Sequence, residues 1–188
     1  TDLSNQVGVA PWINMPHQAD DEYIRSCARQ VLRDLDPRLP VHVEYSNEVW
    51  NSIFDQAGYA AERGLSLGLS QDGYEAQLRF YALRSAQIIR LWKEVFGDQA
   101  QRVKAVYAAQ SANPWTSETI LGFEDVAGSA DVLAIAPYFG GSFGSPERAP
   151  EVATWSLDRL FEALGREVDG ENSVHIRAQV AFARRYGA

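Results

Sequence analysis

The stretch "VEYSNEVWN" at residues 43–51 gathers Glu44, Ser46, Asn47 and Glu48 among apolar and aromatic neighbours. Polar groups are costly to bury, so their concentration at the end of a strand-like run points to a site rather than a core. A carboxylic acid beside an amide is equipped to move a proton on a substrate that the amide holds. Two carboxylates can do more. A glycosidic bond is cleaved between a pair about 5–5.5 Å apart with retention, or about 6.5–9.5 Å apart with inversion. Glu44 and Glu48 do not meet that requirement on a continuous strand, where four residues separate them by roughly 13 Å. Glu48 is therefore the candidate for chemistry. Glu44 is read as a buried support on the same strand face as Ser46, with Val43 and Tyr45 turned the other way.

The other strand-like runs end in residues of the same kind. "PWINMPH" offers Trp12, Asn14 and His17. The end of "EYSNEVWN" adds Trp50, "YAAQSANPW" offers Gln110, Asn113 and Trp115, and "APYFGG" offers Tyr138 and Phe139. Aromatic rings stack on the apolar faces of sugars while amides and hydroxyls bond the sugar hydroxyls. A rim made of one carboxylate, several amides, an imidazole and several rings suits a carbohydrate. The substrate-binding set expected here is Trp12, Asn14, His17, Trp50, Gln110, Trp115 and Tyr138, around Glu48 and Asn47.

For these residues to meet, the strands must lie side by side with the same polarity. Apolar runs at 7–13, 41–46, 103–109 and 131–138 alternate with helical patterns at 20–35, 52–64, 74–97 and 117–128, the second of these ended by Gly64 and the last capped by Thr116 or Ser117. Two more helical segments follow near 154–165 and 173–186. Strand and helix in alternation, with near-continuous apolar strands, predicts a parallel α/β protein. Functional groups then collect at the C-terminal ends of the strands. Four strands and their helices amount to about half of a (β/α)8 barrel. The whole chain, 1–188, reads as a single segment, and both ends look cut.

Composition narrows the partners. The 188 residues carry a formal charge of −8, which disfavours non-specific binding to nucleic acid. No apolar run approaches the length of a membrane span. Cys27 is the single cysteine and sits in a helical pattern, so it is read as a small buried hydrophobe. His17, His42 and His175 are far apart in sequence, and no cofactor or metal is expected.

The block at 44–51 resembles the fourth-strand signature of the clan A glycoside hydrolases, most of all the cellulase family 5 pattern of Glu, two residues, then Asn-Glu. The longer block "PWINMPH…DDEYIR…VEYSNEVWN" also resembles cellulase-like proteins of the same barrel described as cellulose-binding. The resemblance implies a partial (β/α)8 TIM barrel covering about the third to sixth βα units. It implies that Glu48 is the general acid/base of a retaining mechanism on a β-linked glycan, and that Asn47 bonds the sugar 2-hydroxyl. The nucleophile glutamate would end a later strand outside this chain, so the 188 residues alone are expected to be inactive without the remainder of the barrel. The partner would be an oligo- or polysaccharide, and a secreted or cell-surface protein is favoured. Ala136 stands where many clan members have the histidine of a His-x-Tyr ending, while Tyr138 remains. Two alternatives stay open. One is a carbohydrate-binding barrel domain without catalysis; the other is a self-contained doubly wound sheet binding another small ligand.

Overall fold

The computed structural model describes residues 1–126 and 128–188. It is a mixed α/β fold built on a four-stranded parallel sheet whose strands follow chain order: β1 (Trp12–Met15), β2 (Val41–Tyr45), β3 (Val103–Ala109) and β4 (Val132–Ile135). The register sets Ile13 beside Val43 and Val43 beside Ala105, then Tyr107 beside Leu133. These side chains and their alternates Met15, Tyr45 and Ala109 form one face, which packs under the helices. The other face carries Trp12, Asn14, His42, Glu44, Lys104, Val106, Ala108, Val132 and Ala134. Trp12 and Asn14 are exposed there, His42, Lys104, Ala108, Val132 and Ala134 are half-buried, and Val106 is buried. One face is thus a hydrophobic core and the other is mixed, mainly polar on β1 and β2 and apolar with small side chains toward the β4 edge.

The helices are α1 (Asp2–Val7), α2 (Asp21–Asp34), α3 (Asp55–Ser66), α4 (Gly73–Phe96), α5 (Pro114–Leu121), α6 (Ala149–Val152), α7 (Leu157–Glu167) and α8 (Ser173–Tyr186). α2 starts where the Asp20 carboxylate accepts the Tyr23 N–H, and α4 where Asp72 accepts from Glu75, each satisfying an otherwise orphaned donor. α4 is the spine of the layer. It packs on α2, α3, β2 and β3 and sinks Leu78, Tyr81, Ile88 and Trp92 into the core.

Several boundaries differ from the sequence reading. Residues 7–11 are not strand: Val7 ends α1, and Gly8 closes it in the left-handed conformation at φ 68°. α5 begins three residues early, at Pro114, with Asn113 as its N-cap. Proline suits the first helical turn because its missing N–H would have no partner there. Thr116 and Ser117, read as cap candidates, are buried inside that helix instead. The helix read over 117–128 ends at Leu121, and Ala127 lies outside the described residues. Gly64 does not end α3, which continues to Ser66; it is buried where α3 meets the backbone of Ala76 on α4.

Candidate functional site

β2 stops at Tyr45, so Glu48 is not carried by a strand. The chain turns through Ser46 (φ 60°) and Glu48 (φ 45°), two non-glycine residues in the left-handed region. That conformation costs about 1–2 kcal/mol for an L-residue and persists where the surroundings impose it. The surroundings here are specific. Gln56 of α3 donates to the Asn47 carbonyl at 2.7 Å, buried Gln77 of α4 to the Val49 carbonyl at 2.6 Å, and the Tyr74 hydroxyl to the Trp50 carbonyl at 3.1 Å. Asn14 of β1 donates to the Ser46 carbonyl. Four side chains from three elements therefore hold the turn that presents Glu48.

The turn overturns the strand-based separation of Glu44 and Glu48, because extended geometry ends before Glu48. Both carboxylates border one cleft of about 180 Å³, with Trp12, Asn47 and Trp50. Ala108, Ala134 and Ala136 lie on its β3–β4 side, where larger side chains would fill the hollow. The Tyr138 hydroxyl donates to Glu48 Oε1 at 2.7 Å and the Asn51 amide to Oε2 at 3.1 Å. The carboxylate is aimed and both of its oxygens are engaged. The hydrogen bond to Glu48 is the chief cause that holds the Tyr138 phenol above the usual tyrosine range.

Glu44 is buried at 6% exposure, and its Oε2 accepts the Trp12 indole N–H at 2.8 Å. Burial pushes its carboxyl up. Hydrogen bonds from Trp12 and Asn14 oppose that push, and the charge of Glu48 adds a smaller one in the same direction. The Trp12 ring also stacks on His42, with centroids 5.8 Å apart and planes 19° apart. Trp12 is thereby fixed as a ring that remains 49% exposed, the form a stacking platform takes.

The sequence-expected residues separate into three groups. Trp12, Asn47, Glu48 and Trp50 border the cleft, and Asn14 supports its turn. Gln110 and Tyr138 border a neighbouring cavity that shares Trp50 and Ala136. His17 and Trp115 line neither: His17 packs edge-on against Tyr59 of α3 at 5.3 Å, and Trp115 lies against Tyr74 at 5.7 Å. Asn51 was missed as a ligand of Glu48, although it closes the quoted stretch. Comparison with family models, with curated proteins and with solved structures returned no match.

Proposed function

We propose that the cleft at Glu48 belongs to a (β/α)8 glycosidase of clan A type acting on a β-linked glycan. On this reading the four strands are an arc of the barrel, about the third to sixth βα units, with the mixed face turned inward. Sequential parallel strand order and a second face lined by Trp12, Asn14, Glu44 and alanines support the arc. The observation that carries the function is the engaged Glu48 carboxylate in a cleft that Asn47, Trp12 and Trp50 also border.

In the proposed reaction Glu48 gives its proton to the leaving glycosidic oxygen while a carboxylate nucleophile bonds the anomeric carbon. Water then attacks that carbon, passes its proton to Glu48 and releases the nucleophile, with overall retention. Asn47 bonds the 2-hydroxyl. Glu44 is buried with its Oε2 held by the Trp12 indole N–H, and on this reading it supports the cleft rather than acting as nucleophile. The nucleophile is assigned to barrel residues outside this chain.

A second reading, a binding domain without catalysis, is favoured by Glu44 being the one other carboxylate bordering the cleft among the described residues. The first test is binding. Tryptophan fluorescence of this chain should change saturably on titration with β-linked oligosaccharides, and Trp50→Ala should remove the change. Absence of saturable binding across gluco, manno and xylo series would refute both readings. A small anion supplied as external nucleophile separates them, since only the enzyme would then form a glycosyl product through Glu48.

A further inference from the structure

The Glu48 cleft, at about 180 Å³, falls short of the roughly 300 Å³ of an ordinary ligand pocket. The Tyr138 hydroxyl, on the loop after β4, is bonded to Glu48, on the turn after β2. What can widen the site is the segment that carries Tyr138.

That segment, residues 138–171, is built apart from the body of the fold. Among the described residues its only buried hydrophobic side chains are Phe143 and Ala163, and neither joins the core under the sheet. Phe143 is covered from within the segment, by the Trp155 ring at 5.6 Å and the Arg148 guanidinium at 4.8 Å. α6 packs on residues 141–144, and α7 on the turn at 168–172. An element with so few buried apolar contacts opens at lower cost than the core beside it. Its C-terminal end also has a joint. Val168–Asn172 is a wide helical turn between α7 and α8, broken at Gly170, whose φ of −87° and ψ of −111° are not helical. Wide turns of this kind recur at functional sites. The two ends of the segment are stapled at its base. The Glu167 carboxylate accepts the Gly140 N–H at 2.6 Å and the Ser142 hydroxyl at 3.2 Å, and the Asn172 amide donates to the Tyr138 carbonyl at 3.1 Å. These bonds fix the backbone from which the Tyr138 side chain reaches Glu48. Tyr138 is 72% exposed, so packing does little to hold it there.

We propose that residues 138–171 form a flap that closes on Glu48 through the Tyr138 hydroxyl, with Glu167 and Asn172 as the positioning residues that set the closed state. The flap gates whatever ligand the cleft takes, so the proposal stands apart from the glycan reading.

The test uses the intact chain and needs no ligand. Amide hydrogen exchange should be faster in α7 than in β2, β3 and α4, by about tenfold or more. Tyr138→Phe removes the closing bond, so exchange in α7 should speed up by a further factor of about three or more, with β3 unchanged. The Tyr138 phenol, followed by NMR of labelled tyrosine, should titrate closer to 10 in Asn172→Ala and in Glu167→Ala than in the parent chain. Glu167→Gln, whose amide oxygen can still accept from Gly140, should restore the parent's titration. Glu162→Ala, which breaks only an exposed ion pair of α7 with Arg166, should leave it unchanged. Exchange in α7 as slow as in β3, or a Tyr138 titration that neither Asn172→Ala nor Glu167→Ala moves, would overturn the flap. An equal shift in Glu162→Ala would overturn the positioning roles, since loosening α7 anywhere would then suffice.

Discussion

Two glycines of α3 give opposite expectations for the same substitution, and the difference measures how closely α3 and α4 pack. A Cβ built on Gly64 falls 2.1 Å from the Ala76 carbonyl oxygen and 2.6 Å from its carbon, while one built on exposed Gly58 meets nothing within 4 Å. At Gly58, alanine gains helix propensity and stabilises by about 0.5–1 kcal/mol. At Gly64 the same gain is set against an overlap with main-chain atoms, which no rotamer change relieves. α3 must retreat by on the order of 1 Å, and overpacking of this kind costs about 1–3 kcal/mol or more. Gly64→Ala should therefore lose about 1–2 kcal/mol net. Urea unfolding followed by tryptophan fluorescence reads both, as opposite shifts of the midpoint at unchanged slope. The retreat should also reach the site, because Gln56 on α3 and Gln77 on α4 bond the backbone of the Glu48 turn. Glycan binding should weaken in Gly64→Ala and stay unchanged in Gly58→Ala. Equal stabilisation by both variants would refute the close helix contact.

Other expectations concern the carboxylates. Burial raises the Glu44 carboxyl above its ordinary 4.5, so the folded state holds this proton more tightly than the unfolded chain. Stability is then lost as pH rises from 4.5 through the higher folded value. The loss runs at about 1.4 kcal/mol for each pH unit between the two values. Glu44→Gln, whose amide oxygen can still accept from Trp12, should flatten that part of the stability–pH curve and be no less stable at neutral pH; an unchanged slope would remove Glu44 as its source. The Tyr138 phenol is held up by Glu48, so in Glu48→Gln its titration should fall back toward 10, read by NMR of labelled tyrosine with Tyr138→Phe as the assignment. At φ 45°, Glu48→Gly should be more stable than Glu48→Ala by up to about 1 kcal/mol in urea, and equal stabilities would deny the strain.

What the sequence disclosed follows physical locality. The apolar runs at 41–46 and 103–109 became β2 and β3 because their burial under α4 agrees with their β-branched and aromatic content. The run at 7–13 misled because Val7 and Val9 look like strand residues, while Gly8 between them caps a helix. Gly64 misled for a related reason: glycine serves helix ends and close helix contacts alike. Expecting Asn47, Glu48 and Trp50 at one rim needed only the rule that parallel strands present function at their C-terminal ends, and the three border one cleft. The same rule placed Tyr138 on that rim, but not its direct hydrogen bond to Glu48. Tyr138 lies 90 residues away, and only the sheet register brings β4 near enough for its following loop to reach back across β3. The left-handed turn was equally hidden, because Ser46 and Glu48 adopt it under constraint from α3, α4 and β1 rather than by preference.

The proposed acid/base role of Glu48 meets its sharpest test when azide stands in for the proposed carboxylate nucleophile. The chain is incubated with aryl β-glycosides whose leaving phenol needs protonation, with and without azide. Azide bonds the anomeric carbon from the face opposite the leaving group, the glycosidic bond breaks, and Glu48 supplies the proton to the departing oxygen. The expected result is an α-glycosyl azide that forms only with azide present and disappears in Glu48→Gln. Saturable glycan binding with no such product, or a product that survives Glu48→Gln, would contradict the assignment.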